Sequence, residues 1–424
     1  MIEEDIGNID GLSEINKLIH IVEYYFPGKS EALRAMLGAV ASLAVSGSRK
    51  TIPIWLYGEP GVSKSTVLEI LGGGLNLVDW TGIDVPYALF IDNFSPKSFR
   101  SAHVREDAED LLDRLGEGRS RVLVTTELNV LWGKPQAQLH ELCSQITKVC
   151  DDNNSITYAH AGRISGAHDA NANNFVWLGA TISIPEKVSS LFSVHLGPRL
   201  YFYNMSEPAV TASAIANDLE RMVVVDRDYW PKILICQQAI AAYVQAVNLR
   251  PNSILWNKTN DQGIAILSNI AILLRVLRAG VPAKRFRGKL ILGKPVLEAP
   301  KRCMDIAVAL ARGQAILRYV NSIALEDIPI VCKIMLDTAG ASYPERAIIF
   351  RKMLENDGVI TVKELVDDTE YPQVILIEEI EKLSHMGLIN YFADEISVTE
   401  EYSELALSLQ PYVLQTLIQE QGNG

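Results

Sequence analysis

The chain has 424 residues, of which 48% are hydrophobic and 21% charged, and its net charge is −12. This composition is typical of a globular protein of about two to four domains and excludes a disordered or fibrous chain. No apolar run reaches the length of a membrane span, the start Met1–Asp5 is acidic rather than signal-like, and the cysteines lack metal-ligand spacing, so we expect a cytoplasmic protein with no membrane or zinc site.

The negative charge is concentrated at the C-terminal end. Residues 345–424 contain 5 Lys+Arg and 16 Asp+Glu, which leaves 34 basic and 35 acidic residues in 1–344. The body is therefore nearly neutral, and a local basic surface within it stays compatible with the overall acidity.

In chain order, the first half of the sequence alternates between helix and strand patterns. Helices are predicted up to about Lys50, with Ser30 as an N-cap, over 67–71 before a break at the glycines 72–74, from Ser95 with Pro96 in its first turn, and over 132–149. Strands are predicted at 52–57, 75–80, 87–92, 121–127, 174–181 and 200–203, and a hairpin at 155–163. Strands alternating with helices predict a parallel sheet that helices cover on both faces.

The second half is mostly helical and then changes character. Helices are predicted at 210–222, 231–247, 263–277, 302–320 and 325–336. After Pro344 the order is helix 346–355, strand 359–360, helices 362–368 and 374–386, and a hairpin at 388–398, which is a winged-helix arrangement. We therefore predict an N-terminal helical segment (1–50), an α/β core (51–205), a helical lid (206–340) and a winged-helix domain with a tail (341–424).

One short stretch has the strongest chemical meaning. Between a predicted strand and a predicted helix lies Gly58-Glu59-Pro60-Gly61-Val62-Ser63-Lys64-Ser65, called here the glycine-rich loop. Backbone N–H groups in such a turn can face nucleotide phosphates, a lysine can reach the β- and γ-phosphates, and a serine hydroxyl can ligate Mg²⁺. The predicted nucleotide-binding residues are Gly58, Glu59, Pro60, Gly61, Val62, Ser63, Lys64, Ser65 and Thr66.

Hydrolysis of a bound nucleotide also needs a carboxylate, a polar group and a cation near the γ-phosphate. Glu127, which follows a predicted strand, is the preferred carboxylate to polarise water, and Asp92 is the competing one. Thr126 stands where a magnesium-supporting carboxylate is expected, and a hydroxyl is the weaker partner for Mg²⁺. Thr181 at a strand end is a candidate sensor of the γ-phosphate, and Arg199 is a candidate cation from a neighbouring subunit.

This layout resembles the AAA+ ATPases of the minichromosome maintenance (MCM) helicase and MoxR branch. Their loops commonly read Gly, acidic, Pro, Gly, any, Ala, Lys, Ser, so a small residue at Ser63 is within the pattern. Phe26-Pro27-Gly28-Lys29 is similar to the segment that leads into that core. The resemblance implies an AAA+ P-loop core binding ATP and Mg²⁺, with Thr181 at the sensor position, Arg199 as arginine finger and Arg302 at the second sensor. It also implies ATP hydrolysis in a ring of identical subunits, as in a hexamer.

The partner of such a motor is less constrained. Residues 155–162 resemble the MCM hairpin, with His160 in the place of a DNA-contacting lysine, so Tyr158, His160 and Arg163 are candidate contacts to single-stranded or forked DNA in a central channel. Alternatively, this hairpin binds nothing. A second candidate is the basic run 275–302, from which we select Lys284, Arg285 and Arg287; it can instead be a solvated loop or face an acidic neighbour.

The predicted winged helix carries Glu378, Glu379 and Glu381 against Lys382 on its would-be recognition helix. Because carboxylates repel phosphates, we expect this domain to contact protein rather than DNA. The leading hypothesis is an MCM-like replication helicase. The alternatives are a MoxR-like ATPase that remodels proteins and a nucleotide-gated scaffold with weak hydrolysis, which Thr126 favours.

Overall fold

The structure is a computed structural model that describes residues 13–47, 51–95, 98–99, 110–116, 118–150, 158–160, 163–165, 174–182, 199–205, 229–256, 261–369 and 371–422. For 158–160, 163–165 and 415–422 the description covers the backbone alone. The predicted helix 210–222 and the residues Pro96, Gly197 and Pro198 lie outside the described ranges.

A five-stranded parallel sheet forms the centre of the first half. Its strands are β1 (Ile52–Tyr57), β2 (Ala88–Phe90), β3 (Val122–Thr125), β6 (Val176–Thr181) and β7 (Tyr201–Asn204), in the order β2-β3-β6-β1-β7. Strand β1 thus lies between β6 and β7, the last two strands of this sheet in chain order. Since all five strands run the same way, their carboxyl ends meet at one edge of the sheet.

Helices cover both faces of this sheet. They are α1 (Glu14–Tyr25), α2 (Ser30–Ala41), α3 (Lys64–Asn76), α4 (Asn129–Trp132), α5 (Gln136–Val149) and α6 (Tyr229–Val247). Alternate residues of each strand belong to two separate cores: Ile54 and Leu56 pack with α2 and α3, whereas Trp55 packs with Trp177 and α5. The predicted fold class, a parallel α/β sheet flanked by helices, is therefore confirmed at this level.

Two predictions around α3 are wrong. The glycines 72–74 lie inside α3 and do not break it. Glycine fits there because a Cβ at Gly72 would lie 2.5 Å from Phe90 and one at Gly74 would lie 2.7 Å from Ile240. The three glycines instead let α3 approach the sheet and α6 closely. The predicted strand 75–80 is the end of α3 and a turn, in which Trp80 stacks on Tyr87 with ring centroids 3.8 Å apart.

Two further helix predictions differ from the structure. The predicted helix 132–149 is two helices, since Gly133 and Pro135 separate α4 from α5. The helix predicted from Ser95 is not seen in the described residues there, where the Ser95 N–H is 2.7 Å from Ser98 Oγ in a bend. The predicted hairpin is present: β4 (Tyr158–His160) pairs with β5 (Arg163–Ser165) in antiparallel fashion.

The second half contains long helices and two small sheets. The helices are α7 (Ile264–Leu277), α8 (Lys301–Leu317), α9 (Ile328–Ser342), α10 (Pro344–Glu355), α11 (Val362–Asp368), α12 (Gln373–His385) and α13 (Glu400–Gly422). Strands β8 (Ala283–Phe286) and β9 (Lys289–Leu292) form a hairpin, and β10 (Val359–Thr361), β11 (Ile389–Phe392) and β12 (Glu395–Val398) form a three-stranded sheet. The β8–β9 hairpin and α13 were not predicted. No helix in the described part of the chain combines the length and apolar character that a bilayer crossing needs.

Candidate functional site

The glycine-rich loop leaves the sheet at the carboxyl end of β1, between β6 and β7, and leads directly into α3. Gly61 and Ser63 have φ angles of 92° and 57°, so the chain turns through left-handed conformations before the helix begins at Lys64. Within the described residues, no backbone N–H from Gly61 to Thr66 donates a hydrogen bond to a protein acceptor. These consecutive donors, at the positive end of a 13-residue helix, form a cradle suited to an anion.

Lys64 is folded back over this cradle. Its ammonium donates hydrogen bonds to the carbonyl oxygens of Gly58 at 3.0 Å and of Glu59 at 2.6 Å, and the residue is 8% exposed. Burial lowers the pKa of Lys64, the charge of Glu127 raises it, and the charge of Lys29 lowers it further. A cation held against neutral carbonyls is poised to bind an anionic ligand that enters the loop.

The ends of β2 and β3 lie side by side, and this brings Asp92 to Thr126. Asp92 Oδ1 accepts a hydrogen bond from the Thr126 N–H at 2.9 Å and another from the Thr126 hydroxyl at 2.7 Å. The sequence gives these residues separate roles. Asp92 is the competitor of Glu127, and Thr126 is a weak magnesium position. The structure joins them into one carboxylate–hydroxyl pair at the ends of two neighbouring strands.

Glu127 follows immediately and is exposed at the same edge. Burial lowers the pKa of Lys64, and the charge of Glu127 opposes this shift. One oxygen of Glu127, Oε1, accepts a hydrogen bond from the Asn129 N–H at 3.2 Å, which fixes the side chain at the start of α4. Asp92 and Glu127 are therefore both at this edge rather than alternatives.

Thr181 ends β6 and is buried, with its hydroxyl already engaged. It donates to Asn129 Oδ1 at 3.0 Å and accepts from the Trp132 indole N–H at 3.1 Å. The Ile182 N–H also donates to Asn129 Oδ1, at 3.1 Å. The half-buried Asn129 is thus the amide that Thr181 positions at the sheet edge, and sequence reasoning missed it; the one available signal was a polar residue two positions after Glu127.

A second missed group lies beside the start of α3. Lys29 is buried, and its charge reaches Lys64. Tyr229 closes the same side: its hydroxyl lies 3.1 Å from Thr66 Oγ1 and its ring is 6.1 Å from that of Phe26 in an edge-on arrangement. Phe26 and Lys29 belong to the segment singled out by resemblance, but that resemblance assigned them no contact.

Glu69 lies one turn along α3 from Ser65. Burial raises the pKa of Glu69, the charge of Asp92 raises it further, and a hydrogen bond from Tyr229 lowers it. Ser65 itself is exposed.

The remaining predicted residues lie elsewhere. Arg199 precedes β7, so it lies at the amino end of that strand, at the sheet edge opposite the glycine-rich loop. Arg302 is half-buried in the first turn of α8. Tyr158, His160 and Arg163 are in the β4–β5 hairpin, and Lys284, Arg285 and Arg287 are in the exposed β8–β9 hairpin.

The chain matches no model of a known protein family. No curated protein matches it in sequence either.

Proposed function

We propose that this protein is an ATP-dependent AAA+ motor of the MCM–MoxR type that acts on nucleic acid. The observation that carries the proposal is the strand–loop–helix unit, in which open N–H donors and Lys64 face an edge that also holds Asp92 and Glu127. A cradle for phosphates beside two carboxylates is what phosphoryl transfer to water requires.

Each residue has a distinct role in this proposal. The open N–H groups and Lys64 bind the β- and γ-phosphates of ATP, which supplies the phosphoanhydride bond to be cleaved. The hydroxyl of Ser65 holds Mg²⁺ together with the Asp92–Thr126 pair. Glu127 orients the attacking water and takes up its proton, and Asn129 senses the γ-phosphate in place of Thr181.

The finer architecture belongs to the same proposal. The helices α7 to α9 would form the lid of the nucleotide site, and α10 to α12 with the three-stranded sheet would form a winged helix. Arg199 supports a ring, because a residue at the amino end of β7 is better placed to reach a neighbouring subunit than its own loop. A hexamer is the ring that the resemblance implies.

The substrate is argued from the two hairpins. The β4–β5 hairpin occupies the part of the sequence that resembles the MCM channel hairpin, and the β8–β9 hairpin exposes a row of cations. The acidic C-terminal part would contact protein. A scaffold that binds ATP without fast turnover is the second candidate, and the hydroxyl at Thr126 is the observation that favours it.

The test measures ATP binding and ATP turnover separately, with and without single-stranded or forked DNA. Lys64→Ala should abolish binding, whereas Lys352→Ala, at a lysine paired with Glu355 on α10, should leave it unchanged. Glu127→Gln should retain binding and lose turnover, and Asp92→Asn should raise the Mg²⁺ concentration required.

The outcomes separate the candidates. DNA-stimulated turnover supports the motor on nucleic acid, and turnover without stimulation at low salt favours a protein-remodelling ATPase. Tight binding with turnover at background level favours the scaffold. Equal ATP binding by the wild type and Lys64→Ala would overturn the nucleotide site itself.

A further inference from the structure

The β8–β9 hairpin is an exposed ribbon that is attached at its base and, along one face, to α12. Every residue from Ala283 to Lys289 is exposed. At the base, the Gly293 N–H donates to the Pro282 carbonyl at 2.7 Å and the Val296 N–H donates to the Gly280 carbonyl at 2.9 Å. An isolated two-stranded ribbon is marginal in water, and this ribbon is supported on one side only.

The two faces of the ribbon differ. On the inner face, Arg285 forms a 2.7 Å ion pair with Glu378 of α12, and its cross-strand partner Leu290 is half-buried. On the outer face, the cross-strand pairs are Lys284 with Ile291 and Phe286 with Lys289. The outer face therefore alternates cations with apolar side chains and faces solvent, with Phe286 60% exposed.

The turn at the tip has an unusual residue choice. Arg287 and Gly288 have φ angles of 46° and 79°, as a two-residue turn with both central residues left-handed requires. Asn or Asp is the usual companion of Gly there, and arginine is strained in this conformation. Its guanidinium lies 5.2 Å from the centroid of the Phe286 ring. Strain retained at a solvent-exposed tip indicates a requirement for the side chain itself.

The charge of the ribbon is one-sided. Residues 283–294 contain five cations and no acid, in a chain whose net charge is −12. Among the residues that the structure describes, Arg285 alone of these five pairs with a carboxylate. The other cations, which are Lys284, Arg287, Lys289 and Lys294, are available to an anionic partner.

We propose that the outer face and tip of the β8–β9 hairpin bind single-stranded nucleic acid. Phe286 stacks on a base, while Lys284, Arg287 and Lys289 contact the phosphates on either side of it. An exposed aromatic ring among cations provides both interactions that sequence-independent strand binding uses. The inference rests on the proposed function, since it names the element that would hold the nucleic acid.

The test measures binding of a labelled oligonucleotide of about 16 nucleotides to the full chain by fluorescence anisotropy. Phe286→Ala should weaken binding about tenfold, and Phe286→Tyr, which keeps the ring, should restore it. Arg287→Asn suits the turn better than arginine does, so the hairpin stays folded; it should weaken binding several-fold and reduce the salt dependence by about 0.7 in slope. Arg250→Asn, at an exposed arginine after α6, is the charge-matched control and should bind as the wild type does.

Two results would overturn the inference. One is unchanged oligonucleotide affinity in Phe286→Ala and Arg287→Asn. The other is a change of oligomeric state in these variants without a change of affinity, which would assign the ribbon to the acidic part of a second copy. The binding assay contains no ATP, so the two proposals can fail separately. If oligonucleotide binding depends on the hairpin but the protein does not bind ATP, the proposed function alone is contradicted. If the protein binds ATP but oligonucleotide binding does not depend on the hairpin, this inference alone is contradicted.

Discussion

At the scale of single residues, the glycine-rich loop combines a functional shape with a local cost. Ser63 adopts φ 57° and ψ 35° just before α3, a left-handed conformation that glycine adopts freely and serine does not. Its hydroxyl forms only a long contact of 3.5 Å to the Gly61 carbonyl, which offsets little of that cost. The loop is therefore strained at Ser63, although a small residue at this position is within the pattern of the AAA+ loops that it resembles.

Ser63→Gly should stabilise the folded protein by about 0.5 kcal/mol, because relief of the left-handed strain exceeds the extra freedom of glycine in the unfolded chain. The measurement is the free energy of unfolding in urea. Ser403→Gly, within α13, is the matched control and should destabilise by about 0.5–1 kcal/mol, since its backbone is helical. A loss of stability in Ser63→Gly would show that the serine is not strained.

At the scale of elements, close helix contacts depend on glycines inside the helices. Helices α2 and α8 cross where a Cβ at Gly313 would lie 1.8 Å from the Gly38 carbonyl oxygen. Next to this crossing, Gln314 Nε2 donates to the Arg34 carbonyl at 3.2 Å, and the Arg34 Nε–H donates back to Gln314 Oε1 at the same distance. This crossing joins the helices of the second half to a helix that packs on the sheet.

Gly313→Ala should destabilise the protein by about 1–3 kcal/mol, because the added methyl group meets backbone that cannot move aside without separating the helices. Gly280→Ala is the control: its Cβ would have no atom within 4 Å, and the change should stay within about 0.5 kcal/mol. Thermal unfolding of the two variants distinguishes them, and equal midpoints would contradict the close crossing.

At the scale of the whole molecule, one buried arginine attaches the C-terminal part to the preceding helices. Arg346 is 1% exposed; its Nε lies 2.7 Å from Glu379 Oε2, and Nη1 donates to the carbonyls of Leu277 and Ala279. The guanidinium also lies 4.0 Å from the centroid of the Tyr343 ring. This single side chain thereby connects α7, α10 and α12.

Arg346→Ala should cost about 3 kcal/mol, because it leaves two buried carbonyls without their donor and leaves Glu379 with Lys382 as its remaining cation. Arg285→Ala removes the exposed pair with Glu378 and should cost less than about 1 kcal/mol. Urea denaturation followed by tryptophan fluorescence compares the two. If both variants lost the same small amount, the C-terminal part would be attached by other contacts.

Elements with local signals could be predicted from the sequence. The run Ile52–Tyr57, the glycine-rich loop and the presence of a helix after it were predicted, and helix α11 was predicted with its full range, because a strand pattern, a turn and a capping box such as Thr361 with Glu364 act over a few residues. The alternation of strands and helices likewise sufficed to predict a parallel sheet.

Only the tertiary structure decided what the strand order brings together. The contact of Asp92 with Thr126 joins residues 34 positions apart, and that of Thr181 with Asn129 joins residues 52 apart. No local pattern specifies which strands become neighbours, since pairing depends on burying two faces of one sheet at once. For the same reason the glycines of α3 were interpreted as a break: their partners Phe90, Gln237 and Ile240 reach the helix from other parts of the chain.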